Sequence, residues 1–429
     1  MIGEQIHDFA RELWPLNRSL TGEGTRHTLA KIRDHIGSLE IKSIPTGTNV
    51  FDWKIPKEWS VNEAFIRTPD GNKICEFSKN NLHLLGYSIP FKGTLPLAEL
   101  KKHLYTLPEQ PEAIPYITSY YKERWGFCIS SNDLSNLKDG DYEVFIDTKL
   151  FDGCLNYGEV ILPGKSNKEI FLSTYICHPS MANNELSGPC VLTYIAKWLQ
   201  SLESRSYTYR IVFIPETIGS IAYLSINHKQ MKKNTIAGFN VSCIGDDRTY
   251  SYLPSRNGST LSDLVAKHVL KWTYPDYDSY SWLDRGSDER QYCSPGIDLP
   301  IASLMRTKYG EYPEYHTSLD DLDNVVTREG LDGGYWIMRK ALDVIERNNY
   351  YVSSVLCEPQ MGKRGLYPTI STKDTKKQVG LMMDFISLCD GEKPLIEICE
   401  DLNVPAWDLY ELIDQLISHK VIRKAEGKE

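Results

Sequence analysis

Apolar positions recur at helical spacing in the first 36 residues. Ile6, Phe9, Ala10 and Leu13 form one stripe, and Leu29, Ile32 and Ile36 form a second after the turn signal Thr21-Gly22-Glu23-Gly24. From about Glu40 to Asn132 the texture changes to short apolar runs broken by Pro and Gly, with Asp70-Gly71 as a hairpin signal. From about Tyr142 strands and helices alternate. YEVFIDT, EVILPG, EIFLSTYICH, YRIVFIPE, IAGFNVSCIG and LPIASLM read as strands. SGPCVLTYIAKWLQSL, SIAYLSINH, STLSDLVAKHVLKW and GLDGGYWIMRKALDVIERN read as helices. Such alternation predicts an α/β fold with a mixed sheet flanked by helices. After Val355 a linker with Gly362 and Gly365 leads to three short helical runs, ending in the wing-like KVIRKAEGK. The expected organisation is a main α/β domain over 1–40 and 133–355, an inserted β-rich domain over 41–132, and a winged-helix domain over 356–429.

Composition adds exclusions. The chain has 429 residues, 41% hydrophobic and 24% charged, with net charge -9. That charge argues against nucleic acid or an anionic membrane surface as main partner, because both need a basic footprint. The third helical run of the terminal module carries Asp408, Glu411 and Asp414, which would repel phosphates. No apolar run approaches the length of a membrane helix, and MIGEQIHDFARELW lacks the basic and apolar regions of a signal peptide. Ten cysteines without a CxxC pair read as reduced core thiols, so a cytoplasmic location is expected. A homo-oligomer through the terminal module stays open.

The chemistry lies at strand ends. EIFLSTYICH ends at His178 and YRIVFIPE at Glu216. IAGFNVSCIG is followed by Asp246 and Asp247, and LPIASLM by a Tyr-rich loop holding Tyr315 and His316. Two imidazoles and several carboxylates at one sheet edge are the donors of a hydrolytic zinc site. Bound zinc would activate water and a nearby carboxylate would act as base. Each residue alone also suits a structural role: Glu216 could cap a helix, and Asp246-Asp247-Arg248 could be an exposed turn. Glu289 is a second candidate base, and Arg290 or Arg306 a candidate partner for a substrate carboxylate.

The segments CHPSMANNELSGP, PETIGSIAYL, GDD, SDERQY with PGIDLP, and YHTSLDDLDNV, in this order, resemble the zinc aminopeptidase clan. The nearer resemblance is to a bacterial aminopeptidase-like family with a C-terminal winged helix, whose members are often named as polysaccharide-biosynthesis proteins. It implies a zinc-peptidase-like (phosphorylase/hydrolase-like) fold, one or two zinc ions, His178 and His316 as outer ligands, and a peptide-like or small-molecule substrate. It also puts Asn184 and Glu185 at the substrate side of the site, and Asn17 and Arg18 at the cleft mouth. This chain departs from the clan at four places. Thr217 follows Glu216 where a second glutamate is usual, Asn184 stands at the bridging aspartate, Ser180 at the aspartate two after the first histidine, and Ser242 at the third-strand aspartate. The expectation is therefore a zinc-dependent amide hydrolase, acting on an aminoacyl or acylamino-sugar. A catalytically inactive binding protein is the alternative, and a winged-helix regulator a third.

Overall fold

The computed structural model describes residues 1–366 and 373–425. Two compact units divide the chain: Met1–Asp263 with Tyr277–Trp336, and Leu264–Asp276 with Ile337–Glu429. In the first unit the strands of the main sheet are β1 (Glu40–Pro45), β2 (Cys154–Leu162), β3 (Glu169–Tyr175), β4 (Thr208–Ile214), β5 (Thr235–Asn240), β6 (Ser251–Leu253), β7 (Asp278–Ser279) and β8 (Ile301–Met305). Their order is β1-β2-β4-β3-β5-β8-β6-β7. The central β4, β3, β5 and β8 run parallel, while β1, β2 and β6 pair antiparallel.

Every residue of β3 is buried, as expected for a central parallel strand covered on both faces. Chain order moves from β3 outward to β4 on one side and from β5 outward to β8 on the other. The crevice at the carboxyl ends of β3 and β5 is thus a topological switch point, where α/β sheets place their sites. The helix Ser187–Ser201 starts against this edge. A Cβ on Gly188 would lie 2.5 Å from both Thr174 Oγ1 and the Val241 carbonyl, so only glycine permits that approach.

Two placements differ from the expected boundaries. Residues 41–45 lie in β1 and pair with β2 in the main sheet. The strand Asp141–Phe151, beyond the expected end of the insert at 132, joins Lys73–Ile74, Glu58–Arg67 and Phe91–Pro96 in a separate four-stranded antiparallel sheet. Its alternating burial is that of a half-covered antiparallel strand, which chain position alone cannot assign to one sheet or the other.

In the second unit a three-stranded antiparallel sheet is ordered Asp390–Pro394, Tyr350–Ser353, Ile422–Lys424. The helices Lys373–Ser387, Leu395–Leu402 and Tyr410–Ser418 accompany it. The first strand of this sheet precedes residue 356, the expected start of the module. The wing expected over 420–428 is described as far as residue 425. Among the described residues no helix is long and apolar enough to cross a membrane.

Candidate active site

The site is built where β3, β4 and β8 leave the sheet. His178 follows β3 with its side chain 7% exposed. Its Nδ1–H donates to Glu185 Oε2 at 2.9 Å, leaving Nε2 directed to Glu216 Oε2 at 3.8 Å. Glu216 follows β4, and its side chain is 22% exposed. Ser287 Oγ donates to Glu216 Oε1 at 2.9 Å, and the Glu216 amide donates to Cys177 Sγ at 3.2 Å. His316 lies in the loop after β8, with its ring centroid 5.6 Å from that of His178. Tyr315 stacks on it at 3.9 Å.

Burial, then repulsion from His178, pushes the His316 pKa down to about 3, so its ring is neutral at physiological pH. Burial also opposes a charge on His178, but Cys177 and Glu185 outweigh it and raise the pKa. Two more buried carboxyls brace the loops. Asp288 Oδ1 accepts from the Thr217 amide at 2.7 Å and from Ser220 Oγ at 2.8 Å. Burial, joined by the charge of Glu216, raises its pKa to about 8. Asp320 accepts from the amides of Asn183 and Asn184 at 2.7 and 3.0 Å and from Tyr312 OH at 3.0 Å, and burial raises it to about 7.

The backbone around these groups is strained. Thr217 has φ 61° and ψ -78°, near the rare γ-turn conformation, and His316 has φ 57°. For a β-branched residue such a conformation persists only when its surroundings hold it, and it is typical of functional sites. Here Asp288 and Arg290 do so, the latter donating from Nη2 to Thr217 Oγ1 at 3.0 Å.

The structure brings His178, Glu185, Glu216, Arg290, Tyr315 and His316 together. The other candidates, and Glu185, each have their own surroundings. Asp246 is buried, and both its oxygens are engaged: Oδ2 accepts from Asn183 Nδ2 and the Thr307 amide, each at 2.9 Å, and Oδ1 from Thr307 Oγ1 at 2.7 Å. Asp247 is exposed and accepts from Thr327 Oγ1 at 3.2 Å. Glu289 is fully buried and accepts from the amides of Gly286 and Ser287, from Tyr309 OH and from Asn240 Nδ2, which leaves no oxygen free to act as base. Arg306 is buried over the Tyr250 ring, 4.0 Å from its centroid, and donates to the Thr249 carbonyl. Asn184 donates to Tyr175 OH at 2.8 Å, while its Oδ1 is buried without a partner. Glu185 is 0% exposed, out of reach of a substrate. Arg18 is fully buried against His178 instead of lying at a cleft mouth.

Tyr116 was invisible to sequence reasoning. Its ring stands 5.2 Å from His178 and 5.3 Å from His316, and its amide donates to the His316 carbonyl at 2.9 Å. Tyr116 OH meets Tyr120 OH at 3.0 Å. A segment between strand elements with no motif of its own offers no signal for this placement.

The residue types gathered here suit a zinc-like ion. His178 Nε2, Glu216 and His316 supply two imidazoles and a carboxylate, a set found in catalytic zinc sites with an open position. Among the described residues, the one group of three such side chains with all donor atoms within 4.8 Å of one another is Cys177, His178 and Glu185. There Nδ1 faces Glu185 Oε2 at 2.9 Å, so that side of the ring suits an orienting bond. Residue 184, where the resemblance led to the expectation of a bridging aspartate, is a neutral amide.

A family model described as a domain of unknown function (DUF4910) matches residues 7–348, and a winged helix-turn-helix model matches 349–424. A Clostridium acetobutylicum protein named as a polysaccharide biosynthesis protein with an aminopeptidase-like domain is 43% identical over 398 residues, covering 92% of this chain and 91% of the relative. A crystal structure from the same organism, described as a peptidase, is 40% identical with TM-score 0.93, covering 99% of this chain and 97% of that one. A zinc aminopeptidase from Bacillus subtilis is 14% identical with TM-score 0.58 over 80% of this chain and 94% of its own. That last likeness shows a shared aminopeptidase-like α/β fold.

Proposed function

Since the chain belongs to the DUF4910 family and carries the winged helix-turn-helix that follows it, we propose that it is a metal-dependent hydrolase of an amide bond with one zinc ion between His178, Glu216 and His316. The observation that carries this reading is the pairing of His178 Nδ1 with a buried carboxylate while Nε2 faces Glu216 and the neutral His316 lies alongside. Bound zinc would polarise the scissile carbonyl and lower the pKa of a water toward about 7. The residues of the chain do the rest. Glu216 has two oxygens with different surroundings: Oε2 faces His178 Nε2 and Oε1 faces Ser287 Oγ. Oε1 would take the proton of the attacking water and pass it to the amine that leaves as the amide bond breaks, with Ser287 holding the carboxylate in line. Tyr116 and Tyr315 wall the histidines and limit water access. Arg290, which donates to Thr217 Oγ1 and to the Ser287 carbonyl, would pair with an anionic end of the substrate through its remaining N–H groups.

The name of the Clostridium relative directs the substrate search to aminoacyl- and acylamino-sugars. Purified protein should hold zinc near one equivalent by elemental analysis and hydrolyse a member of a panel of aminoacyl-arylamides and acylamino-sugars. Glu216→Gln should abolish turnover. Zinc-free protein with no turnover on the panel would sink this reading in favour of a non-catalytic binder, to which the neutral Asn184 and Thr217 point. For the winged-helix unit we propose a packing or dimerisation role in place of DNA binding, because Asp408, Glu411 and Asp414 are exposed. A duplex-DNA gel shift at physiological salt tests this, and retardation would refute it. Unpaired cysteines fit a reducing, cytoplasmic compartment.

A further inference from the structure

We propose that Glu185, backed by Arg18, is the positioning carboxylate of His178, fixing the ring proton on Nδ1 so that Nε2 is kept as a donor to the ion. The inference rests on the metal reading above and assigns to Glu185 a role distinct from substrate binding.

Three observations carry it. First, Glu185 reaches only the inner edge of the imidazole: its Oε2 lies 2.9 Å from Nδ1, and the side chain is 0% exposed. A carboxylate with no access to the cleft cannot meet substrate. Second, the charge is compensated from beneath. Arg18 Nε lies 3.4 Å from Glu185 Oε1 and donates to the His178 carbonyl at 3.0 Å, while Nη1 donates to the Leu13 carbonyl at 2.6 Å. One buried guanidinium therefore ties the Ile2–Leu13 helix to the backbone of His178 and to the carboxylate that orients its ring. Burying two charges is costly, and this pair lies beneath the first histidine of the site. A role for the charge at that ring accounts for it where packing alone does not. Third, the residue two after His178 cannot do the job. Ser180 Oγ donates to the Trp14 carbonyl at 3.3 Å, away from the ring. The carboxylate comes instead from a π-helical turn, Ala182–Leu186, a wide turn of the kind frequent at functional sites.

A carboxylate that orients a ligating histidine raises its basicity, and removing one weakens metal binding by about 10–100-fold. Zinc affinity would be measured by competition with a chromophoric chelator for wild type, Glu185→Gln, and the neutralised pair Glu185→Gln/Arg18→Met. Thermal midpoints would be taken without metal. Imidazole ¹⁵N NMR of the metal-free protein would report the His178 tautomer, assigned through His178→Ala. The expected result is Nδ1–H at His178 in wild type and about 10–100-fold weaker zinc binding in both variants. The double variant should recover thermal midpoint lost by the single one, since no unpaired charge is left buried, yet not recover zinc affinity. Wild-type zinc affinity in Glu185→Gln, or a neutral His178 ring with its proton on Nε2 and none on Nδ1 in the wild-type protein, would overturn the proposal and leave the metal reading standing. Wild-type protein without zinc affinity would instead overturn the metal reading, and this inference with it.

Discussion

Replacing Arg210 by Met is predicted to destabilise the main sheet by about 3–5 kcal/mol, the usual cost of removing one partner from a buried ion pair. Arg210 lies within β4, and its side chain is 6% exposed. Nε and Nη2 donate to the two oxygens of Glu169 at 2.7 and 2.9 Å, and Nη1 donates to Glu159 and Tyr223 OH, each at 3.0 Å. Counting three charge-assisted bonds to carboxylates at roughly 1.5–3 kcal/mol apiece gives roughly 4–9 kcal/mol. The upper part of that range overshoots for two reasons. Met fills most of the arginine stem volume, and Glu159 keeps Lys42 as a partner. The cost thus concentrates on Glu169, buried and stripped of its counter-ion. Adding Glu169→Gln removes that charge and should recover more than 1 kcal/mol, so the two substitutions are strongly non-additive. Because the chain has two compact units, one global transition is a poor measure. Hydrogen exchange of peptides covering residues 169–175 and 208–214 reports opening of β3 and β4 directly. Arg210→Met exchanging within about 1 kcal/mol of wild type, or the pair adding within about 0.5 kcal/mol, would refute the reasoning.

Two further outcomes are expected. Gly188→Ala drives a methyl to 2.5 Å from the Val241 carbonyl and Thr174 Oγ1; overpacking of this kind costs about 1–3 kcal/mol, and chemical denaturation unchanged from wild type would contradict it. In the second unit, His268 accepts from the Ala406 amide through Nε2 at 3.0 Å and pairs with Glu400 through Nδ1 at 2.6 Å, and burial lowers its pKa below 6.5. A lowered folded-state value favours the neutral ring, so its stabilisation is complete above pH 6.5 and is lost as pH falls through the folded-state pKa. His268→Gln should flatten that part of the melting profile of this unit; an acid slope identical to wild type would count against the assignment.

The strands that carry the site were legible because their apolar runs are long enough to be buried on both faces, as in EIFLSTY. So was the donor chemistry, because an imidazole or carboxylate directly after such a run must emerge at the sheet edge. The insert's limits were not legible. Asp141–Phe151 and β2 follow one another as strands, and only pairing shows that they belong to different sheets.

Nor could spacing separate a carboxylate that faces the histidines from bracing ones. Asp246, Glu289 and Glu216 are all acidic residues between strands of the main sheet, yet the first two are held by amides, hydroxyls and a side-chain amide, while Glu216 keeps an oxygen toward His178. Periodicity and residue type along the chain determined the α/β layering and the pool of candidate ligands. Which of them face one another, and the placing of Glu185, Arg18 and Tyr116 around the histidines, was decided by tertiary packing. The reason is physical: strand and helix periods follow from local sterics and hydrophobic burial, but a hydrogen-bond partner hundreds of residues away is selected only once the whole sheet has closed around it.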